Sequence, residues 1–509
     1  MMKKFGVLVA CVILSGCVTG RARLPKSGNE LQAILDSGQD LVLEKGAVYN
    51  IEKTLRFKKP GQKIRTKDAV NISDYATLRI AGDKLMEIID GGALDDIVLE
   101  NVIVDGNRYE LSTVPKEGLV GGGGQPPLVF FGGNGAENQT VRNNVFMSTR
   151  TWATLKVHEG ANGVLVENNI FLGAGVGPRG NGREEHEVPF NWGDCISCAA
   201  RNTMIRNNLI IDPTDVGIVL YGAPGSTVKD NVVSSISRES LGGINLVDPL
   251  EYYALDKDKT RFDYRGVLIK DNLIDANGAR IHIALPMGAP QWAPKNIGKI
   301  LVGATIQDNT ITGGAAAYGY IVNTVDDFTV TGNVSTALYS GIGEGVNSKR
   351  PPDEPGPFLY DPATTTNSTL QEEFKPCERN LLHLLRCNHG KTNELGYRIY
   401  KYGKYEVKAV ITAAYLEMLG RRPRRDELEA ETTWLQENTR TADELRRKLL
   451  KTEEFKSKFG TVMPEDLHPY RIKMWMNMLD EIRRNYFESN GQMPCAKEMY
   501  LRALAKLYR

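Results

Sequence analysis

Asp194, in "WGDCIS", and Asp215, in "PTDVGI", stand 21 residues apart. Two carboxylates brought to about 5 Å would raise one another's proton affinity and would suit the acid and nucleophile of a glycosidase. The same pair would also hold a Ca²⁺ ion with carbonyl oxygens nearby. Aspartate is equally favoured at strand-entry turns, where it bonds its own backbone. A second set is basic and amidic: Lys156 and His158 in "TWATLKVHEG", Asn245 in "LGGINLVD", and Arg280 and His282 in "ARIHIALPMG". If their strands share one sheet, alternation puts these residues on one outer face, with Ala153, Leu155 and Val157 pointing inward. Arginine and asparagine would then neutralise a uronate carboxylate while Lys156, His158 or His282 removes the C5 proton, as in lyase or epimerase chemistry. Arg238 and Tyr252 complete the expected substrate contacts, the latter from an insertion spanning 248–265.

What could place such residues side by side is a repeat. "QTVRNNVF", "GVLVENNIF", "NTMIRNNLI", "STVKDNVV", "GVLIKDNLI", "GATIQDNTI" and "DFTVTGNVS" share one pattern, with asparagine at 144, 169, 208, 231, 272, 309 and 333. The short intervals are 25, 23 and 24 residues, and the longer ones are one such period plus an insertion. A period of roughly 20 to 30 residues marks a solenoid, and apolar alternation within each unit marks strands. Parallel strands with connections of one hand predict a right-handed parallel β-helix. Asparagine fits a bend between strands, where it tolerates left-handed geometry, and its amide can ladder with the next coil.

The ends differ from this middle. Lys3 and Lys4 followed by an apolar run to Leu14 predict an export signal too short to span a membrane. Leu14-Ser15-Gly16-Cys17 resembles the lipobox of bacterial lipoproteins, which implies a signal over 1–16, a lipid on Cys17 and an outer-membrane location. A tether then runs over 17–29, and Leu31, Ile34 and Leu35 predict a helix capping a β-helix over 30–344. Proline, aspartate and threonine over 345–376 read as linker. Over 377–509 the period becomes helical: Val407, Val410, Ile411, Ala414, Tyr415, Met418 and Leu419 line one face, closed by Gly420. Further helices are expected near 425–438, 441–459, 467–487 and 495–507. The segment 405–459 resembles a short helical domain of undefined function found in secreted bacterial proteins, and its basic residues would suit an envelope protein or polyanion.

A net charge of +1 over 509 residues excludes nucleic acid as the partner of the whole chain. Cys195 and Cys198 have no second CxxC or histidine cluster to complete a zinc site, so they read as core thiols. Cys377 and Cys387 could pair in an oxidising compartment.

The stretch from "GDCISC" to "KDNVV", with "LGGINLVD" and "ARIHIALPMG", resembles secreted β-helix proteins of the pectate-lyase-like superfamily. Asp212-Pro213-Thr214-Asp215 is similar to the D-P-H-D motif of mannuronan C5-epimerases, with Thr214 where those enzymes have histidine. The paired-aspartate and His-Gly motifs of polygalacturonases are missing. The resemblance implies an envelope-anchored protein that binds an acidic polysaccharide and acts on it as a lyase, an epimerase or a hydrolase. The rival expectation is a non-catalytic adhesin or scaffold with a helical docking module.

Overall fold

The computed structural model describes residues 28–82, 84–111, 126–175, 193–238, 240–277, 279–291, 296–314, 316–339, 356–377, 404–437, 445, 448–449, 451–459 and 467–507. The lipobox with Cys17, Glu239 and the side chains of Cys377 and Cys387 lie outside them. Among the described residues no helix is long and apolar enough to cross a membrane.

The chain winds as a right-handed parallel β-helix with three faces, followed by a smaller helical region. Three short strands make each coil, and every named strand pair is parallel; the register with the next coil shifts once, between Asp263 and Val267, where Arg261–Lys270 pairs with Ile300–Gln307. Sheet A begins with Leu41–Leu43, sheet B with Val48–Ile51 and sheet C with Leu55–Arg56, and the order A, B, C then repeats along the chain. Inward residues of all three sheets form one continuous core running from Leu31 to Phe374. The Gly28–Asp36 helix closes the first coil, with Leu31 and Leu35 fully buried and Ile34 packed against the same core.

The repeated asparagine explains itself at the bend from sheet A to sheet B. Asn144, Asn169, Asn208, Asn231, Asn272, Asn309 and Asn333 stack in that order, each Nδ2 donating to the next Oδ1 over 2.9–3.1 Å. Each Oδ1 also accepts the backbone N–H of the coil before it, for example Asn208 N to Asn231 Oδ1 at 2.9 Å. The left-handed conformation falls one residue earlier than expected. Asn143, Asn168, Asn207, Asp230, Asp271 and Asp308 carry φ between 54° and 57°. That residue makes the turn, while the ladder asparagine faces inward and satisfies the donors and acceptors that the turn would leave bare.

Two departures from the sequence reading concern the ends of the solenoid. Within the segment expected to be linker, Phe358–Tyr360 pairs with Tyr320 to Val322, Thr365–Thr366 pairs with Val325 and Asp326, and Thr369–Leu370 pairs with Thr329 and Val330. A further coil therefore covers the edge that 344 would have left open, and Phe374 sits fully buried at its end. The helical region is also no detached module. Helices Leu467–Asn490 and Ala496–Leu507 lie on the outer face of sheet B, with Trp475, Leu479, Ile482, Met499 and Tyr500 packed on Ile72, Val145, Ile170, Leu209 and Val232. Outward positions of sheet B are accordingly apolar, and polar contacts pin the interface. Tyr500 Oη lies 2.7 Å from Ser234 Oγ and bonds the Asp275 carboxylate, while Ser73 N–H donates to Asp480 at 3.1 Å. A separate small core around Val407, Ile411, Tyr415, Met418 and Leu435 holds helices Lys404–Leu419 and Arg425–Glu437 together, and Gly420 ends the first at φ +70°.

With sheet B covered by helices and sheet A carrying paired charges such as Arg142 with Glu100 and Arg206 with Glu167, sheet C is left with the buried Asp194, Ser197, Asn245 and His282 on its strands.

Candidate functional site

Lys156, His158, Asn245 and His282 lie on strands of sheet C, Arg280 falls just before one of them, and Asp194 begins another strand of the same sheet. The register separates them along the axis. Ala153 pairs with Asp194, Lys156 with Ser197, and Val219 with both Ser197 and Asn245. Asn245 is therefore three coils from Lys156, roughly 14 Å at the strand spacing. His282, between the pairs Ser240 with Ile281 and Gly242 with Ile283, is two coils beyond Asp215. Arg280 is buried one residue before the same strand, its carbonyl accepting Ser240 N–H at 3.0 Å. A proton-abstracting lysine and its carboxylate-neutralising partners are thus not brought to one centre.

Two other expected contacts are spent or remote. Arg238 is buried at the bend from sheet B to sheet C and donates to the Gly175 carbonyl at 2.9 Å, beside Arg108, which bonds the same oxygen. Tyr252 is exposed and stacks edge-to-face on Tyr253, whose hydroxyl bonds the Ala199 carbonyl beyond the far end of the Asp194–Cys198 strand. His158 closes its own strand against Phe130, ring centroids 5.3 Å apart, and its Nδ1 lies 3.4 Å from Glu159.

The two aspartates do come together. Gly193 accepts the Asp215 N–H through its carbonyl at 3.2 Å, and Val216 N–H donates to Asp194 Oδ1 at 3.2 Å, so the pair is diagonal across neighbouring coils. Burial is the main force on both. It lifts the Asp194 carboxyl to about 7, helped by the nearby Asp248 and opposed by the Ser197 hydroxyl bond at 2.8 Å, Lys156 and the Val216 N–H. Asp215 is raised well above the usual carboxylate range by burial and by the charges of Asp194 and Asp248, and its Oδ1 has no hydrogen-bond partner. Lys156, the cation of this group, is pushed down by burial while Glu159, Cys198, Asp194 and Asp248 hold it up. Its ammonium sits 4.1 Å above the Tyr221 ring.

Asp248 and Ser197 are functional candidates that spacing did not mark. Asp248 lies three residues past Asn245, where the strand gives way to the insertion, at no repeat distance from the other carboxylates. Ser197 stands three residues after Asp194, and only the register with Lys156 shows that both face the same space.

Around this group the D-P-T-D run divides its labour. Asp212, at φ 55°, accepts Ile236 N–H at 2.7 Å, Ser237 N–H at 2.9 Å and Arg238 N–H at 3.2 Å. It is a clamp on the next coil's bend. Thr214 donates to the Ala174 carbonyl at 2.6 Å and accepts Gly193 N–H at 3.1 Å, which ties its coil to both sides of the coil before it. Asp215 alone of the run faces Asp194.

The strand pattern near Asp194 also differs from simple alternation. Cys195 and Ile196 both enter the core, as does Cys198, and Thr154 Oγ1 turns to Thr149 Oγ1 at 2.7 Å in place of Ala153. Two consecutive inward residues make a kink, so Asp194 and Ser197 share the outer face although three residues apart. Both thiols are free and buried, as core cysteines. Among the described residues no three His, Cys, Asp or Glu side chains gather closely enough to hold a metal ion.

Comparison with solved structures returns proteins of similar winding. They include an endo-xylogalacturonan hydrolase from Aspergillus tubingensis, 13% identical over 68% of this chain and 92% of that one, with a TM-score of 0.42. PfbA, a surface adhesin of Streptococcus pneumoniae, is 11% identical over 67% of this chain and 87% of its own, at 0.40. An alginate lyase from Paenibacillus sp. is 13% identical over 62% and 96%, at 0.30. No family model matches the chain, and no curated relative matches it.

Proposed function

We propose that sheet C carries a glycan-cleaving site in which Asp215 is the general acid and Asp194 the base or nucleophile. One observation carries this reading: two aspartates on adjacent coils, Asp194 buried and Asp215 half-buried, differ in what holds their charge. Asp194 accepts two hydrogen bonds and has Lys156 nearby, all of which favour the carboxylate. Asp215 Oδ1 has no such bond and lies beside two other acids, which favours the protonated form. Two carboxyls pushed apart in this way are what hydrolysis of a glycosidic bond requires, one to protonate the leaving oxygen and one to take the other face of the sugar. Lyase or epimerase chemistry with Lys156 as the base fits less well, because Lys156 is coils away from Arg280 and Asn245; with His282, two residues from Arg280 and one coil from Asn245, it stays the rival reading. The β-helix supplies a long straight face on which a polymer can lie.

The activity is tested by incubating the protein with a panel of neutral and uronate polysaccharides and measuring new reducing ends together with the ultraviolet absorbance of unsaturated products. Reducing ends without absorbance are expected, with a rate that rises as pH passes through about 7 and Asp194 ionises. Absorbance would establish the lyase, and binding without any product would establish the adhesin reading.

The same proposal places the protein at the bacterial cell envelope, because the basic start, short apolar run and Leu14-Ser15-Gly16-Cys17 precede the solenoid. Growth with a labelled fatty acid should label the full chain and leave Cys17→Ser unlabelled; equal labelling of both would remove the anchor.

A further inference from the structure

Rings collect on sheet C at the end of its strands away from Asp194. Phe130, in Val129–Gly132, pairs with Lys156 one coil on, Gly132 pairs with His158, and the Phe130 and His158 rings lie 5.3 Å apart. The next coil has alanine at this level, where Ala199 N–H donates to the Val157 carbonyl at 2.7 Å. The coil after that brings Tyr221 directly past its Val216–Leu220 strand.

The 248–265 insertion supplies rings where the strand has none. Tyr253 Oη donates to the Ala199 carbonyl, and its ring presses over Gly222, where a Cβ would stand 2.5 Å from Tyr253 Cδ2. Tyr252 stands edge-to-face on that fixed ring, with centroids 5.0 Å apart. Burial raises the Tyr253 hydroxyl, opposed by Arg201 and helped by the charge of Glu159, the residue after His158, so the insertion and the His158 turn border one space. These rings are open to solvent: the His158 side chain is 40% exposed and Tyr252 53%, while Phe130 and Tyr221 are half-buried. A single aromatic at the surface is ordinary, whereas several in a row mark a place where something binds.

We propose that Phe130, His158 and Tyr252 form a strip along the solenoid axis that anchors a neutral polysaccharide by stacking on its pyranose rings. A pyranose presents an apolar face of C–H bonds and a rim of hydroxyls, which matches aromatic faces with polar groups at their edges. A polymer lying along the axis meets several rings at once, so weak contacts add up along the chain. Both cations bordering the strip already face rings, Arg201 over Tyr253 at 4.8 Å and Lys156 over Tyr221 at 4.1 Å, and Glu159 adds a negative charge. A uronate chain therefore has no advantage there. Ala199 lies five residues past Asp194, roughly 16 Å along the strand, so the strip holds the polymer at a distance from the carboxyls. The inference rests on the reading of sheet C as the glycan face and requires binding only, not cleavage.

The test is affinity electrophoresis of the full chain carrying Asp194→Asn, so that cleavage does not consume the ligand, through gels containing mixed-linkage β-glucan, xylan, laminarin, pullulan or polygalacturonate. At least one neutral polymer should retard the protein more than polygalacturonate does. Adding Tyr252→Ala should weaken that binding about fivefold or more. Phe130→Leu, which keeps an apolar side chain on the strand and removes the ring, should do the same, and the two together should lose about the product of the separate effects. The melting temperature should stay level in Tyr252→Ala, since that ring is exposed; if Phe130→Leu does not fold, Tyr252→Ala decides alone. Polygalacturonate bound as tightly as every neutral polymer, no retardation by any neutral polymer, or an affinity that these changes leave untouched overturns the strip. Ring-dependent binding by a protein whose unmodified form cleaves nothing overturns the hydrolase and leaves the strip standing.

Discussion

Asp194→Asn is expected to stop glycan cleavage and, at the same time, to make the protein harder to unfold above neutral pH. The first effect follows from its assigned role: losing a positioned base or nucleophile costs on the order of 10²–10⁴ in rate. The second follows from proton linkage. An unfolded aspartate loses its proton near pH 3.9, whereas buried Asp194 holds its proton to about 7. Between those values the folded state binds more protons than the unfolded state, so stability contributed by this group is present at low pH and falls as pH rises through the window. Each pH unit within it is worth about 1.4 kcal/mol. Asparagine does not titrate, can still accept the Val216 N–H and can donate to Ser197 Oγ in place of accepting from it. Urea denaturation at pH 5 and pH 8 should therefore show the variant gaining on the unmodified protein as pH rises. Equal pH dependence in the two would mean that Asp194 is not the buried acid described above. A site kept at a cost to the fold is also what a stability and activity trade-off predicts.

Asn208→Ala should be among the most damaging single changes in the solenoid. Its Nδ2 donates to Asn231 Oδ1 at 2.9 Å and to the Val166 carbonyl at 3.0 Å, and its Oδ1 accepts both the backbone and side-chain N–H of Asn169 at 3.0 Å. Alanine breaks these and a further bond to the Arg206 carbonyl at 3.1 Å, and leaves the Asn169 donors buried beside a void. Each stranded group costs roughly 1–3 kcal/mol, so a loss of about 3 kcal/mol or more in a urea titration is expected. Asn333→Ala should cost less, because that rung sits near the end of the ladder and is capped by Gln371. A loss at Asn208 no greater than at Asn333 would mean that the ladder is incidental to the fold.

Much of this architecture was legible because a solenoid writes its period into the chain. Seven asparagines at recurring intervals announced the coil, and Asn208 and Asn231 do stack. Leu31, Ile34 and Leu35 announced the cap, and the heptad-like face from Val407 to Leu419 announced a helix that ends at Gly420. The diagonal of Asp194 and Asp215 was readable for the same reason, since a separation close to one period makes two residues neighbours on adjacent coils.

Other features left no such mark. The last coil hid in a proline-rich run because its strands are only two or three residues long and two of the three carry threonine where earlier coils alternate apolar residues. Alternation misjudged Ala153 and Thr154, since a kink with two successive inward residues shifts every outward position before it. Arg238 looked like a ligand contact by type, but its guanidinium is engaged by a backbone carbonyl.

By itself, then, the sequence determined the coil, its period, the cap and that Asp194 and Asp215 would fall on adjacent coils, because those depend on distances along the chain that the repeat makes regular. Only the tertiary structure decided that helices would sheathe sheet B, that Asp248 and Ser197 would join Asp194, and that Tyr253 would press over Gly222. These depend on which side chains turn toward a shared space after kinks, insertions and a distant segment have docked. Burial there shifts a carboxyl to neutrality, and no spacing along the chain encodes it.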